Sequence, residues 1–132
     1  MFESSPISYW RKQKEIFCLQ GVKCLACSKI YFPKNYLCKC GSDKLTPVIL
    51  SGIGKLISFT KINLPPAEFS HMAPYIIGLI ELTEGPIIIS QLTDIDDIKD
   101  LKIGMTVKAV FRKYYSIGKE KIINYGLKFE LV

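Results

Sequence analysis

Between Cys24 and Ser42 the chain reads CLACSKIYFPKNYLCKCGS. Four cysteines fall in two close pairs, Cys24-x2-Cys27 and Cys38-x-Cys40, with ten residues between the pairs. Residues 22–46 hold too few apolar side chains to build a core, and KIYFP is their one strand-like run. A segment this small needs a staple, and the cysteines are the evident one. Zinc takes four soft ligands in a tetrahedron, and two tight turns that each present two sulfurs satisfy it. In a C-x-x-C turn, backbone N–H groups also point at the thiolates and stabilise their charge. Gly41 follows Cys40 where such a turn needs positive φ.

The second pair is one residue short. Its single intervening residue brings Cys38 in from a different direction and is expected to remove one N–H···S contact. Cys18, six positions before Cys24, is an alternative fourth ligand or a small packed hydrophobe. Three readings stay open on spacing alone: a structural metal site, a metal-free set of reduced or disulfide-linked thiols, and a catalytic redox pair. The last lacks the βαβ context of thioredoxin-like proteins. A catalytic zinc would keep a position open, usually beside His or carboxylate ligands. The one histidine, His71, lies in another segment.

Charge is distributed unevenly. Residues 1–46 carry eight Lys or Arg against three Asp or Glu; residues 47–132 carry ten against nine. Zinc held by four thiolates would lower the first region to about +3. The remainder is a solvated basic surface or a site for phosphate groups. With 48% hydrophobic and 23% charged residues, the chain is globular rather than disordered. Its longest uncharged run, Phe69 to Ile80, is too short to span a bilayer and holds His71, Pro74 and Gly78. MFESSPISYW has an acid and a proline where a signal peptide has a basic end and an apolar core. A cytoplasmic location is expected, where cysteines more often ligate metal than form disulfides.

The N-terminal stretch SSPISYWRKQKEIFCLQG reads as one helix, with Ser5 as N-cap, Pro6 in the first turn and Gly21 as the stop. Ile7, Trp10 and Phe17 form a narrow stripe that needs something to lie against, its own domain or a partner. VILSGIGKLISFTKI reads as one long strand, bent at Gly52 and Gly54. LPPAEFSHMAP is a proline-broken loop. YIIGLIEL and PIIISQL form a hairpin through TEG. TDIDDIKDL reads as a short helical turn capped by Thr93 or Asp94, its acids forming a solvated face. MTVKAVFRKYY and KIINYGLKFELV, joined at SIGKE, complete five strands with a short helix between the third and fourth. That order fits a five-stranded Greek-key barrel, the OB-fold.

The whole chain resembles a known family. The cysteine pairs around YFP, then CGS, SGIGKLISFTKI, APYIIGLIEL, QLTD and LKIGMTVKAVFR are similar to the acyl-CoA-associated zinc-ribbon/OB-fold proteins, first catalogued as a domain of unknown function. In this family the second cysteine pair is usually C-x-x-C; here Leu37 stands at the expected first cysteine and Cys38 is displaced by one. The resemblance implies a mainly β protein: an N-terminal helix (1–21), a rubredoxin-like zinc ribbon (22–46) and an OB-fold barrel (47–132). Cys24, Cys27, Cys38 and Cys40 would bind one structural Zn2+.

The resemblance further implies a non-catalytic scaffold. Its expected partners are a thiolase-type enzyme, such as acetoacetyl-CoA thiolase, and hydroxymethylglutaryl-CoA (HMG-CoA) synthase, which supply mevalonate. A contribution to coenzyme A or acyl-CoA binding is also implied. OB-folds bind ligands with the loop after their first strand. Phe69, His71, Met72 and Tyr75 are the candidates there, and Lys61, Arg112 and Lys113 are candidates for CoA phosphates. Tyr9 and Trp10 are candidate partner contacts. SGIGKLIS lacks the spacing of a phosphate-binding loop, and no nucleophile–His–Asp set is visible. The alternative function is nucleic-acid binding, which zinc ribbons and OB-folds also perform. Against it, the second and third strands are aliphatic where single-strand binders place stacking aromatics.

Overall fold

The computed structural model describes residues 6–67, 70, 73–117 and 122–132; the side chains of Tyr9, 115–117 and 122–124 are not described. Two compact units emerge: residues 1–51 with 84–86, and residues 52–83 with 87–132.

In the first unit, the expected single helix is two short ones, α1 (Pro6–Arg11) and α2 (Gln13–Cys18). They are interrupted at Lys12, whose φ of −95° and ψ of 6° leave the helical region. The helix stops at Leu19 rather than Gly21. Leu19 adopts the left-handed conformation, and its N–H donates to the Lys14 carbonyl, which ends the ladder two residues early. Gly21 instead lies within strand β1 (Gln20–Cys24). A Cβ there would sit 2.4 Å from the Tyr31 carbonyl oxygen, so close pairing with β2 (Ile30–Tyr31) requires glycine. β1 also pairs with β3 (Leu45–Ile49), giving the antiparallel order β2-β1-β3. Residues 48–62 are therefore two strands, not one bent strand. β3 completes the small sheet, and β4 (Ile53–Ile62) opens the second unit. Gly52, at φ +76°, makes the break between them.

The second unit is a closed barrel, β4-β5-β6-β8-β7, built with β5 (Tyr75–Leu82), β6 (Ile87–Leu92), β7 (Thr106–Ile117) and β8 (Ile122–Leu131). This is the OB-fold. A 3₁₀ turn, Ile98–Asp100, lies between the third and fourth strands. Its cap is Asp97, whose carboxylate accepts from the Lys99 N–H at 3.1 Å; neither Thr93 nor Asp94 fills that position. Alternation along β4 sends Gly54 and Leu56 inward and Lys55 outward. Leu56, Ile80, Leu82, Leu92, Val107 and Phe129 fill the interior. Each buried Leu or Phe contributes on the order of 1.5–3 kcal/mol. Bulges between Leu56 and Ser58 and between Lys113 and Tyr115 supply curvature. Closure is uneven: β7 and β8 pair along most of their length, whereas β6 and β8 meet in parallel at Leu92 and Phe129.

Candidate metal centre

Two tight turns bring the four cysteines together. The first follows β1. Its Cys24 N–H donates to the Lys29 carbonyl at 2.8 Å, and the Ser28 N–H donates to the Cys24 carbonyl at 2.9 Å. Ser28 takes a left-handed φ of 61° to close it. The second turn precedes β3. There the Gly41 N–H donates to the Cys38 carbonyl, and the Cys38 N–H to the Ser42 carbonyl, both at 2.9 Å. Gly41 has the positive φ expected from the sequence, +89°. The Leu25 N–H, donating to the Lys44 carbonyl at 3.1 Å, ties the first turn to the chain leaving the second.

All four Sγ atoms lie within 4.8 Å of one another. Cys24 and Cys40 are 3.7 Å apart, and Cys27 and Cys38 are 3.3 Å apart. Metal–sulfur bonds of ~2.3 Å in a regular tetrahedron put the sulfurs roughly 3.8 Å from each other. The donor set and its spacing therefore fit a tetrahedral, thiophilic cation such as zinc. Cys18 is exposed and outside this cluster.

The electrostatics point the same way. The Cys24 sulfur accepts from the N–H groups of Cys27 and Ala26, which hold its pKa below the ordinary thiol value. Cys38 is drawn down to about 6, first by the Tyr31 hydroxyl and then by the Cys40 N–H. At Cys27 the Lys29 N–H works downward, but neighbouring sulfurs, Cys38 foremost, push the thiol up to about 12. At Cys40 the Ser42 N–H also lowers the thiol, and Cys38 and burial outweigh it, so its pKa is raised. Like charges this close cannot all ionise unaided, and a divalent cation removes that conflict.

Among the described residues, the other candidates do not gather. Lys61 is exposed near the end of β4, and Tyr75 begins β5 one register step away, opposite Ile62. β4 and β7 pair at Ile53 and Lys108. From there Lys61 lies along β4 in one direction, and Arg112 and Lys113 lie along β7 in the other. Arg112 is also engaged, 3.2 Å from Asp94 and 3.6 Å from Glu130. Phe69, His71 and Met72 lie outside the described residues, as does the Tyr9 side chain. Trp10 is 75% exposed. A shallow apolar depression, lined in part by Phe59, Ile77, Leu79 and Ile89, includes none of the described CoA candidates, Lys61, Tyr75, Arg112 and Lys113. Sequence reasoning missed Tyr31, read only as part of a strand-like run. Its hydroxyl lies 3.3 Å from the Cys38 sulfur. The short cysteine pair, lacking one amide donor, was the available signal.

The fold and this centre define a class: a ribbon with a four-sulfur site followed by an OB barrel. Residues 48–112 match the family model described as the ChsH2 C-terminal OB-fold domain. The chain is 41% identical over 123 residues to a "DUF35 domain-containing scaffold protein" of Methanocaldococcus jannaschii, covering 92% of this chain and 86% of that protein. The chain belongs to the DUF35 family. It is also 35% identical over 86 residues to a "probable enoyl-CoA hydratase alpha subunit" of Thermomonospora curvata, covering 64% of this chain and 26% of that one. The solved structure of an "Ltp2-ChsH2(DUF35) aldolase" superposes with a TM-score of 0.71 at 24% identity, over 99% of this chain and 96% of that chain, a likeness of fold. Among the described residues, no helix is long and apolar enough to cross a membrane.

Proposed function

We propose that this protein is a non-catalytic scaffold for an acyl-CoA-processing enzyme, with a thiolase-type enzyme as its main partner and HMG-CoA synthase as a second. The observation that carries this reading is a four-sulfur centre whose donor set, among the described residues, contains no His or carboxylate. Such a centre binds metal through protein ligands on every side and leaves no position for substrate. Cys24, Cys27, Cys38 and Cys40 hold one zinc ion, which fixes the two turns against the small sheet. The scaffold relative in M. jannaschii and the enoyl-CoA hydratase subunit in T. curvata support the role and the substrate class. In the β4–β5 register Tyr75 shares a face with Ile62 and Lys61 with Ile76, so coenzyme A phosphate contact falls to the exposed Lys61 alone.

Co-expression tests the assignment. This chain and a thiolase from the same source are expected to elute together in size-exclusion chromatography at micromolar concentration. Elution as separate species would overturn it. So would tight binding to single-stranded DNA or RNA that falls steeply with added salt, the signature of phosphate neutralisation.

A further inference from the structure

The two cysteine pairs differ in how their leading sulfurs are supported. Cys24, in the full-length turn, accepts N–H groups from the residues two and three positions on, Ala26 and Cys27. Cys38, in the short turn, accepts the backbone N–H of Cys40, two positions on. The amide three positions on belongs to Gly41, and it donates to the Cys38 carbonyl instead, at 2.9 Å. One donor is therefore missing at this sulfur. The Tyr31 hydroxyl lies 3.3 Å from it. That hydroxyl also accepts from the Lys39 N–H at 3.1 Å, the residue between Cys38 and Cys40. With its lone pair so engaged, its hydrogen is directed to the sulfur, since a thiolate only accepts. Tyr31 is held in turn by its register with Val22 across the β1–β2 pair.

We infer that Tyr31 is a positioning residue of the metal centre, its hydroxyl supplying to Cys38 the hydrogen bond that the shortened C-x-C turn cannot supply from its backbone. The inference rests on the zinc reading above and makes Tyr31 specific to the one-residue shortening. Hydrogen bonds to ligand atoms orient them and tune the metal, and their loss typically costs 10–100-fold in metal affinity.

The test uses the full chain in four forms: unaltered, Tyr31→Phe, a glycine inserted between Lys39 and Cys40 to restore C-x-x-C, and both changes together. Zinc affinity is measured by competition with a chromophoric chelator, and each form is also loaded with Co2+ for absorption spectroscopy. Tyr31→Phe alone is expected to weaken zinc binding about tenfold and to shift the sulfur-to-cobalt charge-transfer band to lower energy, because an unbonded thiolate donates more readily. In the insertion background the same substitution is expected to change neither. Unchanged affinity and spectrum in Tyr31→Phe alone would overturn the inference, as would an equal loss in both backgrounds. Should the insertion form not fold, the cobalt spectrum of the single substitution still decides. An unaltered chain that binds no zinc would overturn the zinc reading itself, a separately recognisable result.

Discussion

Cys40 reaches the cluster from a turn one residue shorter than its counterpart, yet its sulfur is 3.7 Å from that of Cys24. Cys40→Ser is expected to reduce metal content from about one zinc per chain to a small fraction of that, read by elemental analysis of the purified protein. The oxygen is a poorer partner for a thiophilic ion, and three sulfurs do not close the tetrahedron. Glu84 gives a prediction of a different kind. Its carboxylate accepts the Ser51 N–H at 2.6 Å. Burial pushes this carboxyl up, the hydrogen bonds from Ser51 outweigh it, and its pKa lies below the ordinary value. The unfolded chain then binds the proton more tightly, so the contribution is complete above the ordinary carboxylate pKa and fades as pH falls through the folded value. Glu84→Gln is expected to cost about 1 kcal/mol near pH 7, and the gap to the unaltered protein should close in acid. Thermal melts of both proteins between about pH 3 and pH 7 check this. At this scale the cysteines and Gly41 were legible in the sequence because their chemistry is local. Tyr31 and Glu84 were not. Their partners, Cys38 and Ser51, are 7 and 33 residues away in sequence, and only the folded chain sets which hydroxyl or carboxylate meets them.

Among the elements, the barrel strands were the readable part. Their apolar and β-branched runs, broken at TEG and KIG, mark strand and turn directly. β1 was hidden because Gln20, Gly21 and Lys23 carry no strand signal, and a glycine after an amphipathic helix looks like its stop. β3 was absorbed into β4 because a glycine-containing run of β-formers reads equally as one bent strand or two. Gly54 and Gly78 show what the barrel asks of its glycines. A Cβ at Gly54 would lie 2.6 Å from the Glu81 carbonyl oxygen, a backbone atom fixed by β4–β5 pairing. At Gly78 it would meet the ends of the Leu56 and Leu92 side chains, at 2.8 and 3.1 Å. Side chains rotate more cheaply than a sheet opens. Gly54→Ala is therefore expected to cost about 2–3 kcal/mol and Gly78→Ala nearer 1 kcal/mol, as read from urea unfolding midpoints.

Over the whole molecule, the two units draw stability from different sources. The barrel has an interior of fully buried Leu, Ile, Val and Phe side chains. In the first unit Leu19, Val22 and Leu50 are the buried aliphatic residues among those described, with Cys24 and Cys38 beside them. Chelation of the metal is expected to abolish hydrogen-exchange protection across β1–β3 while β4–β8 stay protected, since binding free energy at such sites is folding free energy. Simultaneous loss of protection in both would contradict that division. Trp10 belongs to the same scale. Its ring is 75% exposed, so Trp10→Ala is expected to leave the melting temperature nearly unchanged and to weaken co-elution with the partner enzyme. A large drop in melting temperature would place the ring in the monomer's own packing.

The barrel's β6–β8 seam has a consequence for how it yields. Besides the single register step at Leu92 and Phe129, it has the Thr93 N–H donating to the Phe129 carbonyl at 2.8 Å. Parting those two strands forfeits few bonds, whereas parting β7 from β8 forfeits a long ladder. A cylinder fastened so briefly on one side has its weakest line there, so hydrogen exchange is expected to run faster along the β6–β8 edge than along the β7–β8 ladder.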